Sequence, residues 1–162
     1  KQGDVRDFSN FVAAVIDKKA FDRIKGYLDD AKTSATIVAG GGYDDSKGWF
    51  IEPTIVETSD PAHRMLSEEI FGPVITIHPY DDASWSDLLK TVDATSPYAL
   101  TGAVFARDRA AVREASTVLR RIRSCQPSQW LAAYAPSAVF TSAMVAPSAQ
   151  LSSMASLSWK RR

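Results

Sequence analysis

Apolar residues at helical spacing and short β-branched runs take turns along the first 120 residues, and this alternation limits the fold more than any other feature of the chain. After Asp17, an acid suited to capping a first turn, Phe21, Ile24, Leu28 and Ala31 recur on one face and predict an amphipathic helix to about Lys32. TIVA (Thr36 to Ala39) predicts a short buried strand, GGGYDDSKG a turn-rich connection, and WFIEPTIVE an extended run that Pro53 interrupts at an edge or bulge. VITIHPY (Val74 to Tyr80) predicts another strand. Ser84, with Asp87 three residues on, resembles a capping box opening a helix that carries Trp85, Leu88, Leu89 and Val92. TGAVFA (Thr101 to Ala106) reads as strand, and Asp108 caps a helix with Val112, Ala115, Leu119 and Ile122 on one face. Helices alternating with strands in this way imply an α/β fold around a mostly parallel sheet.

At 162 residues the chain suits one domain with a sizeable core. Charge is balanced, 19 basic against 19 acidic residues, so no basic field points to nucleic acid. No apolar run approaches the roughly 18 residues of a membrane span. KQGDVRDFSN contains neither an initiator Met nor a targeting pattern, and Lys1 is expected to begin a fragment. A single cysteine, Cys125, excludes an internal disulfide framework, and His63 and His78 do not have metal-ligand spacing.

Four features invite chemistry. AGGGYDD (Ala39 to Asp45) follows a strand, as a phosphate loop does, but lacks the GxGxxG or GxxxxGK[ST] spacing that opens a helix onto a phosphate, so a structural turn is expected. Cys125 has only neighbouring arginines and no base, and the two histidines lack orienting carboxylates; all three are expected to be bystanders, leaving no catalytic residue and no metal ligand to assign. SEEIFGPV (Ser67 to Val74) is different. Glu68 and Glu69 are expected on a short helical turn with one directed inward, Phe71 offers a flat apolar face, and Gly72 with Pro73 forces a bend into the strand. A carboxylate that accepts two hydroxyl protons beside an aromatic face would suit the edge of a nucleoside site; a capping Glu and a core Phe would account for the same residues.

From Arg120 onward there is neither an acid nor a glycine, the last of each being Glu114 and Gly102. Residues 121–162 are Ser- and Ala-rich, punctuated by Pro127, Pro136 and Pro147, and are expected to be a poorly ordered basic tail with at most one strand, in AVFTSAMV (Ala138 to Val145).

EEIFGPV resembles a motif of the aldehyde dehydrogenase superfamily, and GWFIEPTIVE, VITIHPY and SPYALTGAVFARD stand around it in that family's order. NFVAAVIDKKAFDRIKGYLDDA and LLKTVDATSPYALTGAVFARDRAAVREASTVLR narrow the resemblance to the pyrroline-5-carboxylate dehydrogenases, over roughly Asp7 to Arg120. The resemblance implies a partial catalytic domain over residues 1–120. It implies NAD as cofactor, a small aldehyde (glutamate γ-semialdehyde) as substrate, a place in proline breakdown, and the mitochondrial matrix. In this family a cysteine thiolate attacks the aldehyde, hydride passes to the nicotinamide, and a glutamate-activated water releases the acid. Carried over by position, Glu69 is the ligand of the nicotinamide-side ribose hydroxyls and Phe71 the aromatic beside the ribose and nicotinamide. The family's nucleophile, general base and Gly-rich dinucleotide half precede the matched region, so Cys125 is not that nucleophile, and neither activity nor NAD binding is expected of this chain alone. The alternative is a non-catalytic partner docking on a homologous dehydrogenase subunit. The tail from about Arg121 departs from the family and is expected to be an out-of-frame or alternatively spliced reading. In that case another frame of the encoding DNA would hold the family's glycine turn and Asn-ending strand.

Overall fold

The computed structural model describes residues 1–95, 102–106, 108–119, 125–127, 137–140 and 144–147, and these form two compact units. The first comprises residues 1–58 and 69–76, the second residues 59–68 and the described residues from Ile77 onward. Asp4 to Asn10 is a run of turns, with an Arg6–Asp4 ion pair and the carboxylates of Asp4 and Asp7 accepting the N–H groups of Arg6 and Ser9.

In the first unit helix α1 spans Lys18–Ser34, and the Asp17 carboxylate accepts the Ala20 N–H at 2.7 Å, as its sequence position predicts. The predicted apolar face is the buried one: Phe21, Ile24, Leu28 and Ala31 are all inside, joined by Ala20 and Tyr27. This face packs on two strands, β1 (Thr36–Ala39) and β3 (Phe50–Ile51). Strand β1 pairs antiparallel with β4 (Thr54–Glu57) and carries a bulge between Ile37 and Ala39. It is not the buried strand expected. Its residues alternate exposed and half-buried, with Val38 half exposed, because only one of its faces lies on α1.

The glycine run makes a structural turn. Gly40 and Gly41 take φ of 71° and 90°, and the chain continues into a two-stranded antiparallel hairpin of β2 (Tyr43–Asp44) with β3. No helix follows, so no amide row faces a phosphate there. Thr54 closes the turn: its hydroxyl accepts the Gly41 N–H at 2.9 Å and donates to the Glu52 carbonyl at 2.7 Å. Tyr43 fastens the hairpin to α1. Its ring meets Phe21 edge-on, Lys25 and Lys32 lie over it at 5.1 and 4.7 Å, and its hydroxyl donates to Asp29 at 2.9 Å. Hydrogen bonds from Lys32 and then Tyr43 hold the Asp29 carboxyl below the usual range.

Strand β5 (Val74–Tyr80) begins in the first unit and ends in the second. In the second unit its end pairs parallel with β9 (Met144–Pro147); β9 pairs antiparallel with β8 (Ser137–Phe140), β8 antiparallel with β6 (Gly102–Ala106), and β6 parallel with β7 (Cys125–Pro127). The α/β class holds, and the sheet is partly parallel. The antiparallel members include β8 and β9, two strands in a tail for which the sequence suggests at most one, in AVFTSAMV.

Helix α2 is a single turn, Arg64–Ser67. Helix α3 spans Trp85–Thr95, preceded by a 3₁₀ turn at Asp82–Ser84; Asp81 caps that turn by accepting the Ala83 N–H, so the helical stretch starts earlier than the Ser84 signal suggests. Helix α4, Arg109–Val118, is capped by Asp108 as expected. Leu89, Val104, Ala115 and Leu119 form the buried centre of this unit, flanked by Trp85 and Val92. Ile122, read as part of the α4 face, lies outside the described residues.

Leu28 is fully buried on α1, so Leu28→Ala removes packing that neighbours replace only in part. Urea denaturation should show a loss of about 2–5 kcal/mol, and a loss below about 1 kcal/mol would show that α1 is not held by this face.

Candidate functional site

The segment Glu68 to Pro73 leaves α2 and enters β5. Its two acids lie just past the helical turn. Glu68 is the C-cap residue, extended at φ −101° and ψ 141°, with its N–H on the Arg64 carbonyl and its carboxylate 3.1 Å from the Arg64 guanidinium. Glu69 is exposed, and among the described residues nothing bonds to its carboxylate. The expectation that one acid points inward is therefore incorrect. Ile70 is the inward side chain, 8% exposed, next to two exposed acids.

Phe71 is 76% exposed and has φ of 50°, the only non-glycine residue at positive φ among those described. A left-handed backbone costs an aromatic residue about 1–2 kcal/mol, so the surrounding structure must hold it there. Three anchors lie close by. Arg23 on α1 donates from its guanidinium to the Ile70 carbonyl at 3.0 Å. The Thr54 N–H donates to the Pro73 carbonyl at 2.8 Å. Between them the Gly72 backbone lies so near α1 that a Cβ there would stand 2.6 Å from Ile24 Cδ1 and 3.1 Å from Cγ1.

The local result is an exposed carboxylate and an exposed aromatic ring two residues apart on a fixed loop. Those groups fit the sugar and planar ring of a nucleoside, since a carboxylate accepts two hydroxyl protons and the ring stacks. The same loop contains no donor array for a pyrophosphate. Neither a capping Glu nor a core Phe describes Glu69 and Phe71, because both side chains are outside.

The other candidates belong to the second unit. His63 is buried and caps α2, its Nδ1 accepting the Met65 N–H at 3.3 Å, a structural role its polar surroundings in sequence did not reveal. His78 is half-buried in β5, and Cys125 lies in β7. Among the described residues no three His, Cys, Asp or Glu side chains are grouped to hold a metal. Arg23 and Ile24 were not singled out from the sequence as loop anchors. Their spacing signals only a helix, and the loop they meet is more than forty residues away.

Residues 1–126 match the family model for the aldehyde dehydrogenase family, and the chain belongs to that family. Within it, the chain is 52% identical over 123 residues to the mitochondrial delta-1-pyrroline-5-carboxylate dehydrogenase of Danio rerio and 50% identical to that of Homo sapiens, in each case over 74% of this chain and 22% of the relative. A crystal structure of the delta-pyrroline-5-carboxylate dehydrogenase from Mycobacterium tuberculosis bound with NAD superposes at a TM-score of 0.65 and 40% identity, over 74% of this chain and 22% of that one. The chain thus spans about a fifth of the length of the curated relatives it matches.

Gly72 tests the loop's seat on α1. Gly72→Ala should cost about 1–3 kcal/mol through overpacking against Ile24, and adding Ile24→Val, which removes the clashing Cδ1, should recover part of that loss. Chemical denaturation of the two single variants and the double variant checks this, and strictly additive losses would contradict the close approach.

Proposed function

We propose that this chain supplies the cofactor-facing edge of an NAD-dependent dehydrogenase that oxidises glutamate γ-semialdehyde to glutamate, in the proline-degrading chemistry of the mitochondrial matrix. The single observation that carries the reading is the exposed pair Glu69 and Phe71 on a loop anchored to α1. The family membership and the pyrroline-5-carboxylate dehydrogenases among its relatives supply the reaction class.

In this reading Glu69 accepts the hydroxyl protons of the nicotinamide-side ribose, and the Phe71 ring lies beside ribose and nicotinamide. NAD, when bound, supplies the hydride acceptor. In this reading the residues of this chain bind and orient. We accordingly assign residues 1–120 to part of the catalytic domain and residues 121–162 to a tail that departs from the family, its described strands β7, β8 and β9 pairing with β5 and β6.

Hydrogen bonds to a charged group contribute about 1.5–3 kcal/mol each, whereas association costs about 4–15 kcal/mol in lost freedom. One carboxylate and one ring barely reach the lower end of that cost. Calorimetry of the 162-residue chain with millimolar NAD should therefore show no saturable heat, and a saturable isotherm would contradict this.

The reading itself is tested in a dehydrogenase whose other parts are supplied. Residues 1–126 replace the homologous stretch of the Danio rerio relative, and the chimera is assayed for NAD-dependent aldehyde oxidation. Glu69→Gln keeps the shape and removes the charge, and should raise the KM for NAD about 10- to 150-fold. An unchanged KM in an active chimera would sink the assignment of Glu69.

A further inference from the structure

The loop that carries Glu69 and Phe71 holds a backbone conformation that Phe71 disfavours, and one side chain outside the loop bonds to the peptide unit that sets it. The Ile70 carbonyl and the Phe71 nitrogen belong to the same peptide plane, so the direction of that carbonyl and the φ of Phe71 are mechanically tied. Arg23 donates to this carbonyl at 3.0 Å from the second turn of α1, while Phe71 sits at φ 50°. Downstream, Gly72 is seated against Ile24 and the Pro73 carbonyl is held by the Thr54 N–H. With that end fixed, the economical relaxation of Phe71 to negative φ is a flip of the Ile70–Phe71 peptide, which would turn the carbonyl away from Arg23.

We propose that Arg23 is a positioning residue for the cofactor-facing loop: its bond to the Ile70 carbonyl keeps the Ile70–Phe71 peptide from flipping and so fixes where Phe71 and the adjoining Glu69 point. The magnitudes favour this. Left-handed backbone is disfavoured about 5- to 30-fold for a residue with a Cβ, and a hydrogen bond from a charged donor is worth about 10- to 150-fold, so the bond outweighs the strain. The remaining donors of the guanidinium are not needed for this role. A lysine ammonium at the same place can make the same bond, whereas a methionine of similar length cannot.

The role goes deeper than the proposed function and rests on it only for the word cofactor, so the test separates the two. Chymotrypsin cleaves after exposed aromatic residues, and Phe8 and Phe11, 98% and 94% exposed, provide internal references remote in sequence from the loop. In the full chain, cleavage after Phe71 relative to Phe8 and Phe11, followed by mass spectrometry, should rise about tenfold in Arg23→Met and stay at the wild-type level in Arg23→Lys. Arg23→Gln, run alongside with circular dichroism, gives a second donor-shortened variant in case the methionine variant loses the helix. Equal relative cleavage in all the folded variants, or a rise in Arg23→Lys as large as in Arg23→Met, would overturn the proposal. In the active chimera Arg23→Met should also raise the KM for NAD about tenfold, with Arg23→Lys restoring it. A changed cleavage with an unmoved KM leaves Arg23's positioning role standing and overturns the cofactor reading of the loop instead.

Discussion

The backbone of Gly72 lies against Ile24 with no room for a side chain of its own, and the rest of the first unit is arranged so that this contact can be made. Ile24 is fully buried and belongs to the same apolar face of α1 that covers β1 and β3. The helix is thus at once the lid of a small core and the floor under a loop. Burying that face is worth about 25 cal/mol per Å² of apolar area, a non-directional force that brings the helix down. The directional bonds, from Arg23 to Ile70 and from Thr54 to Pro73, then choose one loop conformation among several.

That division of labour explains an otherwise odd combination. An aromatic ring that is mostly in water and a backbone in the left-handed region are both unfavourable, and neither stabilises the unit. In the proposed reading they are a surface kept ready for something flat. Glu69 is exposed beside it and in the proposed reading takes the polar role, while Glu68 next door is used in capping α2 and pairing with Arg64. Two adjacent identical residues therefore take different roles because the chain turns from helix to extended backbone between Ser67 and Glu69.

Local chemistry was legible in the sequence wherever it was decisive. Asp17 and Asp108 announced α1 and α4, the β-branched runs announced β4 and β5, and the wrong glycine spacing correctly reduced AGGGYDD to a turn. Legibility failed where partners are distant. TIVA reads as buried from its apolar residues, yet one face of β1 is left uncovered. Ser84 looks like a cap, yet Asp81 starts the helical stretch a turn earlier because a 3₁₀ turn precedes α3. The two acids read as a helical turn with one of them inward, yet both are outside and Ile70 is the residue on the core. Nothing local to Phe71 announces positive φ; that comes from anchors on α1 and on β4. The EEIFGPV motif, by contrast, pointed to the family that residues 1–126 match.

The most direct test of the central claim, that an α1-anchored loop presents Glu69 and Phe71 to a nucleoside, is a crystal structure of the chimeric dehydrogenase with NAD bound. In that structure the Glu69 carboxylate should lie within hydrogen-bonding distance of both hydroxyls of the nicotinamide-side ribose, with Phe71 still at positive φ and its ring against the sugar. Ribose hydroxyls held by other groups, with Glu69 and Phe71 left in solvent, would contradict it.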